Sequence, residues 1–206
     1  MGEMPGPKVV PLASARDASG ADRSDEDLML LVRAGSREAM ASLASRYLRP
    51  LTSFCTKLTG EAGAGEDIVQ EVFLRVWKHR TEWQPRGTVA ALLYTSARNL
   101  CLNRTRDMRR RGRWLAPGAG AAIEQAGVAS EDIDPILARE RRQDALRALG
   151  ELPEAMREAV LLRFDAELPY EAIANVLGAN ESTVRSRVHH GLLKLRALVS
   201  GKGDRR

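Results

Sequence analysis

Residues 168–196, LPYEAIANVLGANESTVRSRVHHGLLKLR, limit what this chain can fold into more than any other stretch. Tyr170, Ile173, Ala174 and Leu177 recur at i, i+3, i+4 and i+7, an apolar stripe along one side of a helix. Gly178 follows the last of them and can take the left-handed conformation that ends a helix, and Asn180 can cap the next helix by accepting a backbone N–H bond. Two short helices joined by a tight turn are therefore expected. In the second, Val184, Val188, Leu192 and Leu195 face inward, while Ser182, Arg185, Ser186 and His189 form an opposite stripe without an apolar member. This is the helix-turn-helix pattern, in which the second helix can enter a DNA major groove and offer its first turns to base edges and phosphates. The bland alternative is a helical hairpin with a solvated basic face. Pro169 departs from the pattern by standing where a serine or threonine cap is expected, although the first turn of a helix accommodates proline.

The remaining sequence supports a helical, DNA-directed reading. Its 206 residues suffice for one or two domains, and 44% apolar against 4% aromatic residues suits small bundles of Leu, Ala and Val rather than a β-sandwich. A net charge of +5 points to a polyanionic partner. Cys55 and Cys101 have no metal-ligand spacing and read as buried thiols of a reducing cytosol. No run approaches membrane-spanning length, no signal peptide opens the chain, and Gly6 stands where a myristoylation motif wants Ser or Thr. A cytoplasmic protein without membrane insertion is expected. Catalysis is not: no His, Cys or acidic cluster has ligand spacing, no Gly-rich loop cradles phosphate, and His189 and His190 fall on opposite sides of their helix. The chain therefore calls for no metal, no cofactor and no small-molecule substrate.

Taken in order, residues 1–23 are rich in Pro, Gly, Ala and Ser without periodicity and read as a disordered tail. Ser24 begins order as a cap followed by acids, with Leu28, Leu31 and Val32 on one face. Ser36 caps a long helix with apolar positions Met40, Leu43, Tyr47, Leu51, Phe54 and Leu58, ending near Gly60. The next helix carries Val69, Val72, Phe73, Val76 and Trp77 inward and Asp67, Gln70, Glu71, Leu74 and Lys78 outward. Leu74 interrupts a polar face. It is either a single exposed leucine, which is common, or the apolar centre of a protein-docking face with a polar rim.

After a loop at 83–88 comes a helix whose inner side is Leu93, Ala97, Leu100 and Arg104. Asn99, Asn103, Arg106 and Arg110 make another stripe, and residues 104–113 hold six arginines against Asp107 alone. Such a run is commonly a solvated face. Here upstream asparagines extend the stripe, and Asn with Arg is the pairing that reads bases and grips phosphates. Residues 114–138 then turn acidic, with Glu124, Glu131, Asp132 and Asp134 and no Lys or Arg, and read as a flexible linker. From about Arg139 helices resume, with Ala145, Leu146 and Leu149, then Val160, Leu161 and Phe164, available for packing. The expected fold is all-α: a tail (1–23), a first helical domain (24–113), a flexible acidic linker (114–138), a second domain with the helix-turn-helix (139–200), and a basic tail (201–206).

The order DIVQEVFLRVW, LLYTSARNL with its arginine-rich helix end, LPEAMREAVLLRF and YEAIANVLGANESTVRSRVHHGLLKLR resembles bacterial sigma factors of the extracytoplasmic-function class, over residues 25–113 and 140–198. That resemblance implies a specificity subunit of core RNA polymerase acting on promoter DNA, held by an anti-sigma factor until a stress signal arrives. Asp67, Gln70, Glu71 and Leu74 would dock on the polymerase clamp. Trp83, Arg86 and Asn99, with the rest of the 83–88 loop, would take an extruded base of the minus-ten element, and Asn103, Arg106 and Arg110 would hold its phosphates and edges. Arg163, Ser182, Arg185, Ser186, Arg187, His189 and His190 would meet the minus-thirty-five element. Leu92 replaces a frequent tryptophan, Asn103 a common aspartate and His190 a frequent arginine, so the last contact would depend on protonation. Two other readings compete: a stand-alone helix-turn-helix regulator, which leaves the docking helix unexplained, and a sigma-like decoy for an anti-sigma factor, which would be expected to lose its DNA-facing arginines.

Overall fold

The structure is a computed structural model that describes residues 23–61, 63–112 and 135–203, and every regular element among them is helical. Local chemistry sets most helix ends. Ser24 caps α1 (Asp25–Arg33) by accepting from the Asp27 N–H at 3.1 Å, and Ser36 caps α2 (Arg37–Thr59) by accepting from the Ala39 N–H at 3.1 Å. Gly60, left-handed at φ 73°, ends α2. After α3 (Ala64–Lys78) and a single 3₁₀ turn at Arg80–Glu82, Thr88 caps α4 (Val89–Arg110).

These four helices enclose one core, with Leu28, Leu43, Leu51, Phe54, Val69 and Leu93 all within 1% of complete burial. The Phe54 and Tyr94 rings meet edge to face, 5.2 Å apart. Met29 is buried beside the expected Leu28 and Val32. Cys55 and Cys101 are fully buried, and the bond from Cys101 together with desolvation pushes the Cys55 thiol far up, so it stays protonated. Close approach of α3 to α2 depends on Gly65, where a Cβ would sit 2.7 Å from the Thr52 carbonyl oxygen and would also strike Thr56 Oγ1.

The second half consists of α5 (Pro135–Glu151), α6 (Glu154–Phe164), α7 (Tyr170–Leu177) and α8 (Glu181–Gly203). α5 starts at Pro135, ahead of the expected Arg139, because proline is well placed at a helix start. The expected linker thus ends at 134; its remainder and most of the expected N-terminal tail lie outside the described residues, and α8 continues through 201–203. The turn between α7 and α8 forms as expected, with Gly178 left-handed at φ 59° and Asn180 Oδ1 accepting from the Thr183 N–H at 2.8 Å.

The buried faces differ from expectation in three places. In α7, Ala172, Ile173 and Val176 are buried while Tyr170, Ala174 and Leu177 are only partly covered, because α7 packs on α4 as well as on α8. In α8, Val184 and Val188 are buried but Leu192 is 41% exposed and Leu195 only partly covered; Gly191 takes the inward position instead. A Cβ at Gly191 would lie 2.8 Å from Val160 Cγ2, so its absence lets α8 cross close to α6. Phe164 is 57% exposed rather than packed: it shares the side of Val160 and Leu161 at i+4 and i+3, but it is the last residue of α6, beyond the six buried positions.

The two halves touch. Six consecutive α6 residues, Arg157 to Leu162, are buried, which a helix with one partner cannot achieve. α6 lies between α8 on one side and α2 and α4 on the other.

Candidate nucleic-acid interface

The outward face of α3 presents Asp67, Gln70, Glu71 and Leu74 together, Leu74 being 57% exposed. Glu71 accepts from Arg75 Nε at 2.7 Å, an exposed pair one helical turn apart that contributes little to stability. Asp67 faces Arg104 across 3.8 Å. Arg104 itself grips Glu61 with two bonds, at 2.8 and 2.7 Å. This pairing holds the Glu61 carboxyl below the ordinary carboxylate range and raises the Arg104 guanidinium. Arg104 thus ties α4 to the end of α2, in keeping with its inward position in the sequence. An open groove runs between α3 and α4, lined by Asp67 and Glu71 on one wall and Leu100, Asn103 and Asp107 on the other.

The loop before α4 is built by a tight turn over Pro85, in which the Arg86 N–H donates to the Gln84 carbonyl at 2.7 Å, followed by Gly87 at φ 86°. Trp83 packs partly against the core, whereas Arg86 is exposed. Glu26 of α1 accepts from the Val89 N–H, fixing the start of α4. Along α4, Asn99, Asn103, Arg106 and Arg110 are all exposed on one line. At 1.5 Å per residue that line spans about 16 Å, roughly five base steps. Asp107 pairs with Arg110, so the stripe is partly neutralised before any DNA arrives.

On α8, Ser182, Arg185, Ser186, His189 and His190 are exposed and Arg187 is partly covered. His190 Nδ1–H donates to the Ser186 carbonyl at 2.8 Å, which leaves Nε2 for an outside partner. Arg185 lies over the Tyr170 ring at 4.4 Å and pairs with Glu181. Arg163 reaches the same ring at 5.1 Å while donating to the Leu168 carbonyl at 3.0 Å. Arg163 and Arg185, far apart in sequence, are therefore neighbours across one aromatic ring. Periodicity alone places Tyr170 only in an apolar stripe. Its hint was a tyrosine, with a polar tip, at the first helical position. The α3 face and the α8 face remain separate surfaces on different helices. Among the described residues no group of His, Cys, Asp and Glu could hold a metal, and no helix is long and apolar enough to cross a membrane.

Such an arrangement defines a class: a DNA-directed, two-module helical protein with one donor-lined stripe per module and an apolar-centred face on the first. Residues 43–111 match the model of Sigma-70 region 2, and residues 142–195 that of Sigma-70, region 4. The ECF RNA polymerase sigma factor SigE of Mycolicibacterium smegmatis is 31% identical over 186 residues, 87% of this chain and 71% of that one. The ECF sigma factor EcfG of Rhodopseudomonas palustris is 31% identical over 149 residues, 72% and 78% of the two chains. The sigma factor RpoE of Bartonella quintana, solved with the anti-sigma factor NepR, superposes with a TM-score of 0.62 at 24% identity, over 78% of this chain and 96% of that one. The chain belongs to the extracytoplasmic-function group of the sigma-70 family, the RNA polymerase sigma factors. It is accordingly a transcription-initiation factor that works with core polymerase and promoter DNA, and not an enzyme.

Proposed function

We propose that region 2 docks on core polymerase through Asp67, Gln70, Glu71 and Leu74, and that the two donor stripes read the two promoter elements. The observation that carries this reading is the exposure, on separate modules, of two stripes that contain only hydrogen-bonding and cationic side chains, Asn99–Arg110 on α4 and Ser182–His189 on α8. Leu74 supplies an apolar centre and its acidic neighbours a rim, the usual anatomy of a docking patch. Trp83, Arg86 and Asn99 take an extruded minus-ten base, whose extrusion costs a few kcal/mol and so selects a melted, matching sequence. Asn103, Arg106 and Arg110 follow the same strand. Arg185, steadied on Tyr170, has the fork geometry for two bonds to a guanine of the minus-thirty-five element, worth about 1–3 kcal/mol of discrimination. Arg163, Ser182, Ser186, Arg187, His189 and His190 hold the flanking phosphates and edges. The protein acts in the cytoplasm, where polymerase and chromosome are, and is restrained by an anti-sigma factor that answers a stress.

The test is run-off transcription from a promoter-fragment library with the purified chain and core polymerase, alongside DNA binding by the chain alone. Transcripts that require both components, with feeble binding by the chain alone, are expected. Tight, specific DNA binding with no polymerase-dependent transcript would instead favour a free-standing regulator, and failure of both would favour a decoy.

A further inference from the structure

The surface of α6 turned toward region 2 carries a pattern that promoter reading does not use. Glu154, Glu158 and Asp165 stand at i, i+4 and i+11, on one line along α6 and the turn after it. Each meets a cation of region 2. Glu158 accepts two bonds from Arg98 of α4, at 2.9 and 3.1 Å, and is itself 3% exposed. Glu154 lies 3.6 Å from Arg109, one helix face along from Arg98. Asp165 pairs with Lys57 of α2 and accepts from Ser53 Oγ at 3.1 Å, with both charged side chains more than four-fifths covered. Acids lie on one module and cations on the other without exception in these three pairs, and α7 adds apolar contact against α4.

This arrangement is incompatible with occupying both promoter elements. Asn99 adjoins Arg98, which is bonded to Glu158; Arg163, five residues further along α6, shares the Tyr170 ring with Arg185. At 1.5 Å per residue plus side-chain lengths, the two stripes lie within roughly 30 Å of each other. The minus-ten and minus-thirty-five elements are about 85 Å apart along a duplex at 3.4 Å per base pair. Residues 113–134 could span at most about 75 Å at 3.3–3.6 Å per residue, so the covalent chain permits the modules to part.

Resting on the promoter reading above, we propose that this acidic line is a docking surface for region 2 of the same chain, and that the protein by itself closes into an inhibited form held by Lys57–Asp165, Arg98–Glu158 and Arg109–Glu154. Opening then precedes full promoter occupancy, and any partner that favours the open form activates without touching a DNA-facing residue.

The experiment uses the full chain with fluorophores on Ser45→Cys and Ser200→Cys, both exposed positions, since Cys55 and Cys101 are too buried to label. Energy transfer is measured for this chain, for Lys57→Glu, for Asp165→Lys and for the double reversal, with helix content checked by circular dichroism. Each single reversal puts like charges into a covered site and is expected to lower the closed-to-open ratio by roughly tenfold or more. The double reversal restores it. In run-off transcription with core polymerase, the single reversals should reach half-maximal output at a several-fold lower concentration, and the double reversal at the wild-type one. Transfer that is unchanged by either single reversal overturns the closure. Transfer that falls while the transcription curve does not move overturns the inhibition. Absence of polymerase-dependent transcription from every variant overturns the promoter reading and the inhibition with it, whereas the transfer values still decide closure.

Discussion

Replacing Gly65 by alanine tests how tightly α3 is seated on α2. The added Cβ would stand 2.7 Å from the Thr52 carbonyl oxygen. An ordinary C···O contact is about 3.3–3.6 Å, so the helices must separate by more than half an ångström. Thr56 can rotate its hydroxyl away, but a backbone carbonyl in mid-helix cannot move without its whole turn. Overpacking of this kind costs about 1–3 kcal/mol, and the better helix propensity of alanine offsets it by up to about 1 kcal/mol. A net loss of about 1–2 kcal/mol is expected, which for a module of this size lowers Tm by roughly 5–15 °C. Trp77 and Trp83 lie within the module and report its unfolding in urea by fluorescence. Asp67 follows Gly65 by two residues, so polymerase affinity should fall even at temperatures where the variant is folded. The neighbouring Gly63 is a contrast: it sits at φ 80° with nothing near its Cβ position, so Gly63→Asn, which tolerates that backbone, should stay close to wild type. A Gly65→Ala chain within about 0.5 kcal/mol of wild type would refute the close approach.

Leu74→Asp should leave the urea midpoint unchanged, because the side chain is 57% exposed, yet weaken capture by immobilised core polymerase by tenfold or more, on the order of an interface hot spot. Tyr170→Ala removes the ring under Arg185 and Arg163 and should weaken region 4 binding to minus-thirty-five DNA about two- to fivefold, the size of an exposed cation–π contact, whereas Tyr170→Phe keeps the ring and should bind like wild type in a fluorescence anisotropy titration. Arg104 holds the Glu61 carboxyl below its unfolded range, so the stability it lends is present above about pH 4 and is lost as pH falls through and below that value. Glu61→Gln should therefore be less stable than wild type at neutral pH, by no more than about 1 kcal/mol for a pair a third exposed, and the two urea midpoints should converge in acid.

Helix ends and the exposed stripes were readable from sequence because each depends on residues a few positions apart. Ser24, Ser36 and Asn180 cap their helices, and Gly60 and Gly178 end theirs, through bonds within one turn. Inward faces were readable where one partner dominates, as α2 does for Val69, Val72 and Val76 on α3. They were not readable where two partners compete. α7 buries Ala172 and Val176 because α4 covers one side of it and α8 another, and a periodicity argument assumes one covered side. Leu192 was assigned inward by spacing, but the close crossing of α8 and α6 admits only the hydrogen of Gly191 at that level. The line of Glu154, Glu158 and Asp165 was visible in principle. Its meaning was not, since Lys57, Arg98 and Arg109 are about 45–110 positions away in the chain. Tyr170 is the nearest miss, a residue whose ring is partly core and partly shelf for two arginines.

The covered pair of Lys57 and Asp165 has a consequence for building hybrid proteins. A transplanted region 4 without a carboxylate at the place of Asp165 would carry its own DNA preference but would leave Lys57 without its partner. Such a chimera would inherit a promoter specificity without the restraint that accompanies it here. Exchange of modules is therefore not neutral, and a transplant that also carries Lys57's surroundings on α2 would behave differently from one cut at the linker.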